Sequence, residues 1–257
     1  MATNTYSLDV EYTGTSQRGA YATDSASLSI TGDLTIEFWI KPESLPEFMP
    51  LINKSVGSTS RSYRIGIETD GDITFVISKD GTFSAGQYST YTPNLNLSTG
   101  AWAHVAFAFD ASAHTTYSYL NGSPFGSKDM GVNFTLIADC TSNLYIGESA
   151  DISRFDGKLD EIRIWNTQRT DSEIANNYNK QLVGDESGLQ AYYQFNNDLL
   201  DLTANNNDLT SLGASVFSTD VPFTGSSISS IMGLAKASVK TVNGLAVGSI
   251  KSINGLA

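Results

Sequence analysis

The stretch Phe155 to Trp165, F-D-G-K-L-D-E-I-R-I-W, restricts the possible folds of this chain more than any other. From Leu159 onward it sets Leu159, Glu161, Arg163 and Trp165 on one side and Asp160, Ile162, Ile164 and Asn166 on the other. A period of two marks a strand, and Asp156-Gly157 supplies the turn before it. In a regular strand the neighbouring acids Asp160 and Glu161 point to opposite faces. One of them is then buried and needs a partner, because an unpaired buried carboxylate costs on the order of several kcal/mol.

The same period recurs along the chain. Tyr6, Leu8, Val10 and Tyr12 alternate, and Gly14 to Asp24 reads as a polar loop. Leu34, Ile36, Phe38 and Ile40 form one face of a strand that Pro42 stops. Pro46 and Pro50 bracket a connector before Leu51 to Lys54. Arg61–Thr69 and Asp72–Lys79 flank Asp70-Gly71, a strong hairpin signal. Gly81 to Thr99 reads as an irregular edge strand or a functional loop. Trp102 to Asp110 sets His104, Ala106 and Ala108 against Val105, Phe107 and Phe109, and Asn121-Gly122 turns the chain after Thr115–Leu120. Strands are expected at 133–138, 143–147, 188–195 and 209–217. Thr170-Asp-Ser-Glu173 is a capping box. With Ile174, Tyr178 and Leu182 at a spacing of four, it predicts a helix of about three turns ended by Gly184. Short strands parted by Gly, Asn and Asp turns, with one short helix, predict an all-β antiparallel two-sheet sandwich.

Charge and chemistry narrow the function. Fifteen basic against 27 acidic residues give a formal −12, which argues against a phosphate-backbone binder. Cys140 is the single cysteine, so packing alone must hold the sandwich. Neither a signal-peptide pattern at M-A-T-N-T-Y-S-L nor a bilayer-length apolar run is present, so no membrane partner is expected. No G-x-S-x-G, H-E-x-x-H or phosphate loop occurs. His104 reads as a packing element. Asp24, Asp156 and Asp160 are the candidate ligands for calcium, which takes six to eight oxygens. Tyr63, Tyr88 and Tyr91 are candidate stacking rings for a sugar, with Asn94 and Asn96 as polar partners.

The order E37-F-W-I-K-P, W102-A-H-V-A-F-A-F-D110, Y119-L-N-G122, L144-Y-I-G147, F155-D-G-K-L-D-E-I-R-I-W165 and G188-L-Q-A-Y-Y-Q-F195 resembles the laminin-G-like, or concanavalin A-like, jelly-roll family over about Tyr6 to Phe217. The resemblance implies two curved antiparallel sheets and an accessory module that binds sugars or proteins, in some members with calcium at the rim. Catalytic relatives carry paired glutamates in an E-x-D-x-x-E strand, and this chain has no such motif.

The last segment differs in kind. Ile228, Val239 and Ile250 are eleven apart, as are Ile231, Val242 and Ile253. Leu234, Leu245 and Leu256 keep the same interval. Residues 221–257 hold Lys236, Lys240 and Lys251 and no acid, whereas residues 1–220 carry a formal −15. Glycine in every unit and Asn-Gly in two disfavour a helix and favour extended, turn-rich units. The unit S-I-K-S-I-N-G-L-A resembles short repeats in virion proteins of tailed bacteriophages. Two domains are therefore expected: a jelly roll over 1–223 and three eleven-residue repeats over 224–257 for attachment or oligomerisation. The first functional expectation is a non-enzymatic phage virion protein, a capsid decoration or fibre component on the virion surface. It would be made in the host cytoplasm and held as a homo-oligomer, or against other virion proteins, by its tail. The alternative is a carbohydrate-binding adhesion module, and a glycan hydrolase ranks third.

Overall fold

The computed structural model describes residues 4–11, 19–148, 154–213 and 216–223, and the backbone alone of 230–231, 234–235, 241–242 and 245–246. In chain order the elements are β1 (Ser7–Val10), β2 (Ala20–Ala22), β3 (Leu34–Pro42), β4 (Met49–Val56), β5 (Ser60–Ile67), β6 (Ile73–Ser78), β7 (Tyr88–Tyr91) and β8 (Ala103–Asp110). There follow β9 (Thr115–Leu120), β10 (Ser123–Asp129), β11 (Leu144–Ile146), β12 (Gly157–Trp165), α1 (Asp171–Asn177), β13 (Leu189–Tyr193), β14 (Thr210–Ser211) and β15 (Val216–Ser218). One sheet runs β10-β9-β8-β3-β12-β1-β15, and β13 shares the outer edge of β12 with β1. The other runs β14-β2-β11-β4-β5-β6-β7. All their pairings are antiparallel. This is the expected jelly-roll sandwich.

The core lies between the sheets. Leu8, Ile36, Phe38, Phe107 and Ile162 face Ile52, Ile65, Ile67 and Phe75 in one continuous buried cluster. Phe75 stacks on Phe107 across the gap, centroids 5.3 Å apart. Each such side chain contributes about 1.5–3 kcal/mol relative to exposure. Among the described residues no helix is long and apolar enough to cross a membrane.

The alternation expected in β12 breaks at its acids. Against β3, Asp160 pairs with Trp39 and Arg163 with Glu37, so three steps on β12 match two on β3. Glu161 takes φ +51° and absorbs the extra residue. The bulge resets the parity. Leu159 joins Ile162 and Ile164 in the core, and Asp160, Glu161, Arg163 and Trp165 all lie on the outer face. The two acids do not point to opposite faces.

Other expectations also shift. α1 has its capping box, but it stops at Asn177, well before Leu182 and Gly184. Arg163 binds the carbonyls of Asn177 and Lys180 and so supplies the donors that a further helical turn would need. β2 lies inside the expected loop, Pro50 falls within β4 beside a bulge, and 133–138 forms no strand. The last expected strand divides into β14 and β15, one in each sheet. Residues 220–223 fold back on the sandwich. Asp220 accepts from Lys41 Nζ at 2.6 Å and Trp102 Nε1 at 2.9 Å, and Phe223 meets Trp39 edge-on.

In the repeats, Ser230–Ile231 pairs with Leu234–Ala235 and Thr241–Val242 pairs with Leu245–Ala246. These two short antiparallel pairings are eleven residues apart. Of Ile231, Leu234, Val242 and Leu245 only the backbone is described. Ile228, Lys236, Val239, Lys240, Ile250, Lys251, Ile253 and Leu256 lie outside the described residues.

Candidate functional site

The outer face of the β3–β8–β12 sheet carries a dense polar network, closed off from solvent. Trp165 Nε1 donates to Glu37 Oε1 at 3.0 Å, and His104 Nε2 lies 3.2 Å from Glu37 Oε2. Arg163 Nη1 lies 3.7 Å from Glu37, and its Nη2 donates to Glu161 at 3.0 Å. Tyr192 Oη and Gln181 Nε2 donate to the same Glu161 carboxylate. Asp160 accepts from Asn4 Nδ2 and from the backbone N–H of Glu161, both at 2.8 Å. Glu37, Asp160, Glu161 and Arg163 are at most 1% exposed.

Electrostatics match that geometry. Burial disfavours ionised Glu37, but Arg163 and His104 outweigh it and hold the carboxyl below its usual range. Burial lowers the His104 pKa against the pull of Glu37. Burial, with Glu161 beside it, pushes Asp160 well up. Sugar hydrolysis needs two acids that a substrate can reach, about 5 to 9 Å apart. Asp160 and Glu161 share a face here and are sealed, so this network holds the sheet to its covering segment.

The outer face of the other sheet is open. Across it, one register row reads Tyr21, Tyr145, Asn53, Arg64, Val76 and Thr90. A second bulge shapes this row. Arg64 stands opposite Asn53 and Arg61 opposite Ser55, so three steps on β5 match two on β4 and both guanidinium groups come to the same face. Arg61 Cζ lies 3.9 Å from the Phe83 ring centroid. Arg64 Cζ lies 5.2 Å from that centroid and 4.9 Å from that of Phe48. Phe48 closes over Gly66, where a Cβ would meet its ring at 2.2 Å. Phe83 also packs against Tyr88, centroids 5.1 Å apart, and Tyr21 packs against Tyr145 at 6.1 Å. Tyr88 is exposed, and Tyr21, Tyr145, Arg64 and Thr90 are half-buried, whereas Asn53 and Val76 in the same row are buried. Rings and forked donors on one open face suit a ligand with both apolar and polar faces.

The expected site residues scatter. Tyr63 is buried and donates to the Leu28 carbonyl, because it shares strand parity with Ile65 and Ile67. Tyr91 also turns inward, edge-on to Phe107 and bonded to Ser118. Neither ring can stack on a sugar. Of the three tyrosines, Tyr88 alone is on the open face. Asn94 and Asn96 are exposed in the loop beyond β7, where the Asn96 N–H donates to Asp72 at 2.9 Å. Tyr21, Tyr145, Arg64, Phe48 and Phe83 were not among the expected residues.

The calcium candidates do not assemble. Asp24 binds the buried Lys54 at 2.5 Å, Asp156 accepts from Ser44, and Asp160 is enclosed as described. None of the three belongs to a group of acids near enough to share an ion among the described residues. Near Asp156, the oxygens of Asp9, Glu11 and Glu43 lie within 4.8 Å of one another. Lys158 already pairs with Asp9 at 3.5 Å and with Glu43, so an ammonium occupies the position that a cation would take. These donors fit calcium poorly. A groove of about 320 Å³ lined by Tyr117, Tyr119 and Thr170 is a weaker site, since Tyr119 Oη is committed to Asp171 at 2.9 Å.

The family model described as the concanavalin A-like lectin/glucanases superfamily, of laminin G type, matches residues 14–175, more than half of the chain. The chain belongs to this superfamily. Among superfamily-like solved structures, a candidate carbohydrate binding protein from Bacteroides ovatus aligns at TM-score 0.64 with 17% identity, over 88% of this chain and 62% of that one. The chain thus spans less than two thirds of the length of that protein. The native heptameric SAP-like pentraxin of Limulus polyphemus aligns at TM-score 0.54 and 14% identity, covering 83% and 94%. The CBM40 of a Ruminococcus gnavus IT-sialidase, bound to α2,3-sialyllactose, aligns at 0.51 and 14%, covering 69% and 100%. At these identities the likeness is one of fold. No curated protein matches the superfamily member in sequence.

Proposed function

We propose that the chain is a non-enzymatic carbohydrate-binding module whose ligand face is the open face of the β4–β5–β6 sheet. One observation carries this: aromatic rings flank the row on both sides, Tyr21 and Tyr145 at one end and Phe83 and Tyr88 at the other, with the half-buried Arg64 between. At a strand spacing of about 4.8 Å, Tyr145 and Arg64 lie roughly 10 Å apart, room for a chain of two or three sugar rings. The sealing of Glu37, Asp160 and Glu161 supports a role without catalysis. The Bacteroides and Ruminococcus proteins of like fold, one a candidate carbohydrate binder and one bound to sialyllactose, lend support. A glycan array probed with the full chain tests the reading. Retained glycans should be lost by Tyr145→Ala and Tyr88→Ala, and an array with no retained glycan would reject it.

A second reading concerns the repeats. Two short antiparallel strand pairings at the eleven-residue period favour a segment built to pair its strands with other copies or with a host particle, as a tail-anchored virion component would need. Light scattering on the full chain and on a chain ending at Phe223 tests it. A full chain that is oligomeric beside a monomeric truncation supports attachment through the tail, and two monomers would count against self-assembly.

A further inference from the structure

Arg64 bears on the kind of sugar that a carbohydrate-binding face here would take. The chain is strongly acidic, and its other well-buried cations have partners: Arg163 has Glu37 and Glu161, Lys54 has Asp24, and Lys158 has Glu43 and Asp9. Among the described residues Arg64 makes no ion pair and no side-chain hydrogen bond, and its Nε is buried with no acceptor. Glu68, the acid whose charge reaches it, is held by Thr74 Oγ1 at 2.8 Å. Instead of a carboxylate, a second guanidinium stands beside it, with Arg61 and Arg64 both over the Phe83 ring. Burial and then this neighbour push the Arg64 pKa down, as crowded like charges should.

In a protein with surplus acid, Arg64 has no carboxylate partner among the described residues, and a bulge sets a second guanidinium on the same face. The guanidinium sits against two rings, those of Phe48 and Phe83, and its Nη fork is the group a ligand would meet. A planar fork matches a carboxylate or a sulfate bidentately, and the adjacent rings match a pyranose face. We infer that Arg64, supported by Arg61, binds the anionic group of an acidic saccharide whose sugar ring lies along Phe83 and Phe48. This rests on the carbohydrate-binding reading and narrows it to sugars bearing a carboxylate or a sulfate.

Isothermal titration of the full chain tests it with five probes: trigalacturonic acid, sialyllactose, lactose, a chondroitin sulfate tetrasaccharide and a short polyglutamate. The expected result is at least tenfold tighter binding of an acidic saccharide than of lactose, weakened by salt. Arg64→Met should remove that preference, and Arg64→Lys should restore it only in part, because the charge returns without the fork. Phe83→Ala should weaken binding without abolishing the preference. Whether the carboxylated or the sulfated probes bind identifies the anion. Equal binding of lactose and the acidic probes, or an acidic preference that survives Arg64→Met, would overturn the inference and leave the carbohydrate reading intact. Binding of polyglutamate alone would make this an acidic-peptide site and overturn both. Silence from all five probes would also reject the anionic sugar, and the glycan array then decides the broader reading by itself.

Discussion

Two arginines in this sandwich reach the outer faces of opposite sheets by the same device, and they meet opposite surroundings. Arg163 and Asp160 are brought to one face by the bulge at Glu161, and Arg64 and Arg61 by the bulge in β5. At the first site the chain supplies two carboxylates, an indole, a phenol and two carbonyls, then covers them with residues 177–181. At the second it supplies another arginine and two phenylalanine rings, and leaves the face open. A bulge can thus serve either end. What separates the internal strut from the proposed ligand site is whether the described residues give the arginine a carboxylate: Arg163 has two, and Arg64 has none.

The comparison breaks most easily at the strut. Arg163→Met leaves Glu37 and Glu161 buried without their cation and frees the carbonyls that end α1. Breaking a buried pair from one side costs about 3–5 kcal/mol, so the urea midpoint should fall sharply. A change under about 1 kcal/mol would mean that water or a rearranged covering segment replaces the guanidinium.

A smaller effect follows from pH. The His104 pKa is lowered by burial, despite Glu37, so the unfolded chain binds more protons than the folded one just below pH 6.5. Stability from this group is full above about pH 6.5 and declines as pH falls, by at most about 1.4 kcal/mol per unit. Asp160, raised by burial, has the opposite sign: its folded form gains stability as pH falls toward the ordinary carboxylate range. Denaturation profiles of the native chain and His104→Gln separate the two. The variant, which keeps a donor for Glu37, should lose the decline below pH 6.5. An unchanged profile would place the titration elsewhere.

Most of the scaffold was legible because local chemistry decided it. Asp70-Gly71 made its hairpin, Thr170 and Glu173 made their capping box, and the inward faces of β3 and β8 followed strict alternation. The capping box also gives the third effect: Thr170→Ala removes an acceptor for the Glu173 N–H and should cost about 1 kcal/mol, seen as a modest drop in melting temperature. What escaped was parity. A bulge adds one residue and reverses every later assignment, yet the mark was present in the spacing of Leu159 to Ile162 to Ile164, three and then two. Tyr63 was legible as well, since it keeps the parity of Ile65 and Ile67. Tyr21 and Tyr145 were not, because β2 is three residues long in a polar stretch and makes sense only once β11 lies beside it. Arg64 and Phe48 meet through a glycine, a contact that no local pattern announces.

The smallest effect is the sharpest test of the contrast. Arg64→Met removes a charge that has no carboxylate partner, beside another charge of the same sign. The stacking it gives up on Phe48 and Phe83 is worth about 0.5–1 kcal/mol at a partly exposed site, and relief of repulsion from Arg61 offsets part of that. The methionine stem can still cover Val76 and the rings. The net change in folding free energy should therefore stay within about 0.5 kcal/mol. The same substitution at Arg163 should cost several times more, though both arginines stand on a strand beside a bulge. Should Arg64→Met also cost about 3 kcal/mol or more, then Arg64 is a strut like Arg163. A loss of sugar binding in that variant would then report lost folding, and only Arg64→Lys, with the fold kept, could speak for the site.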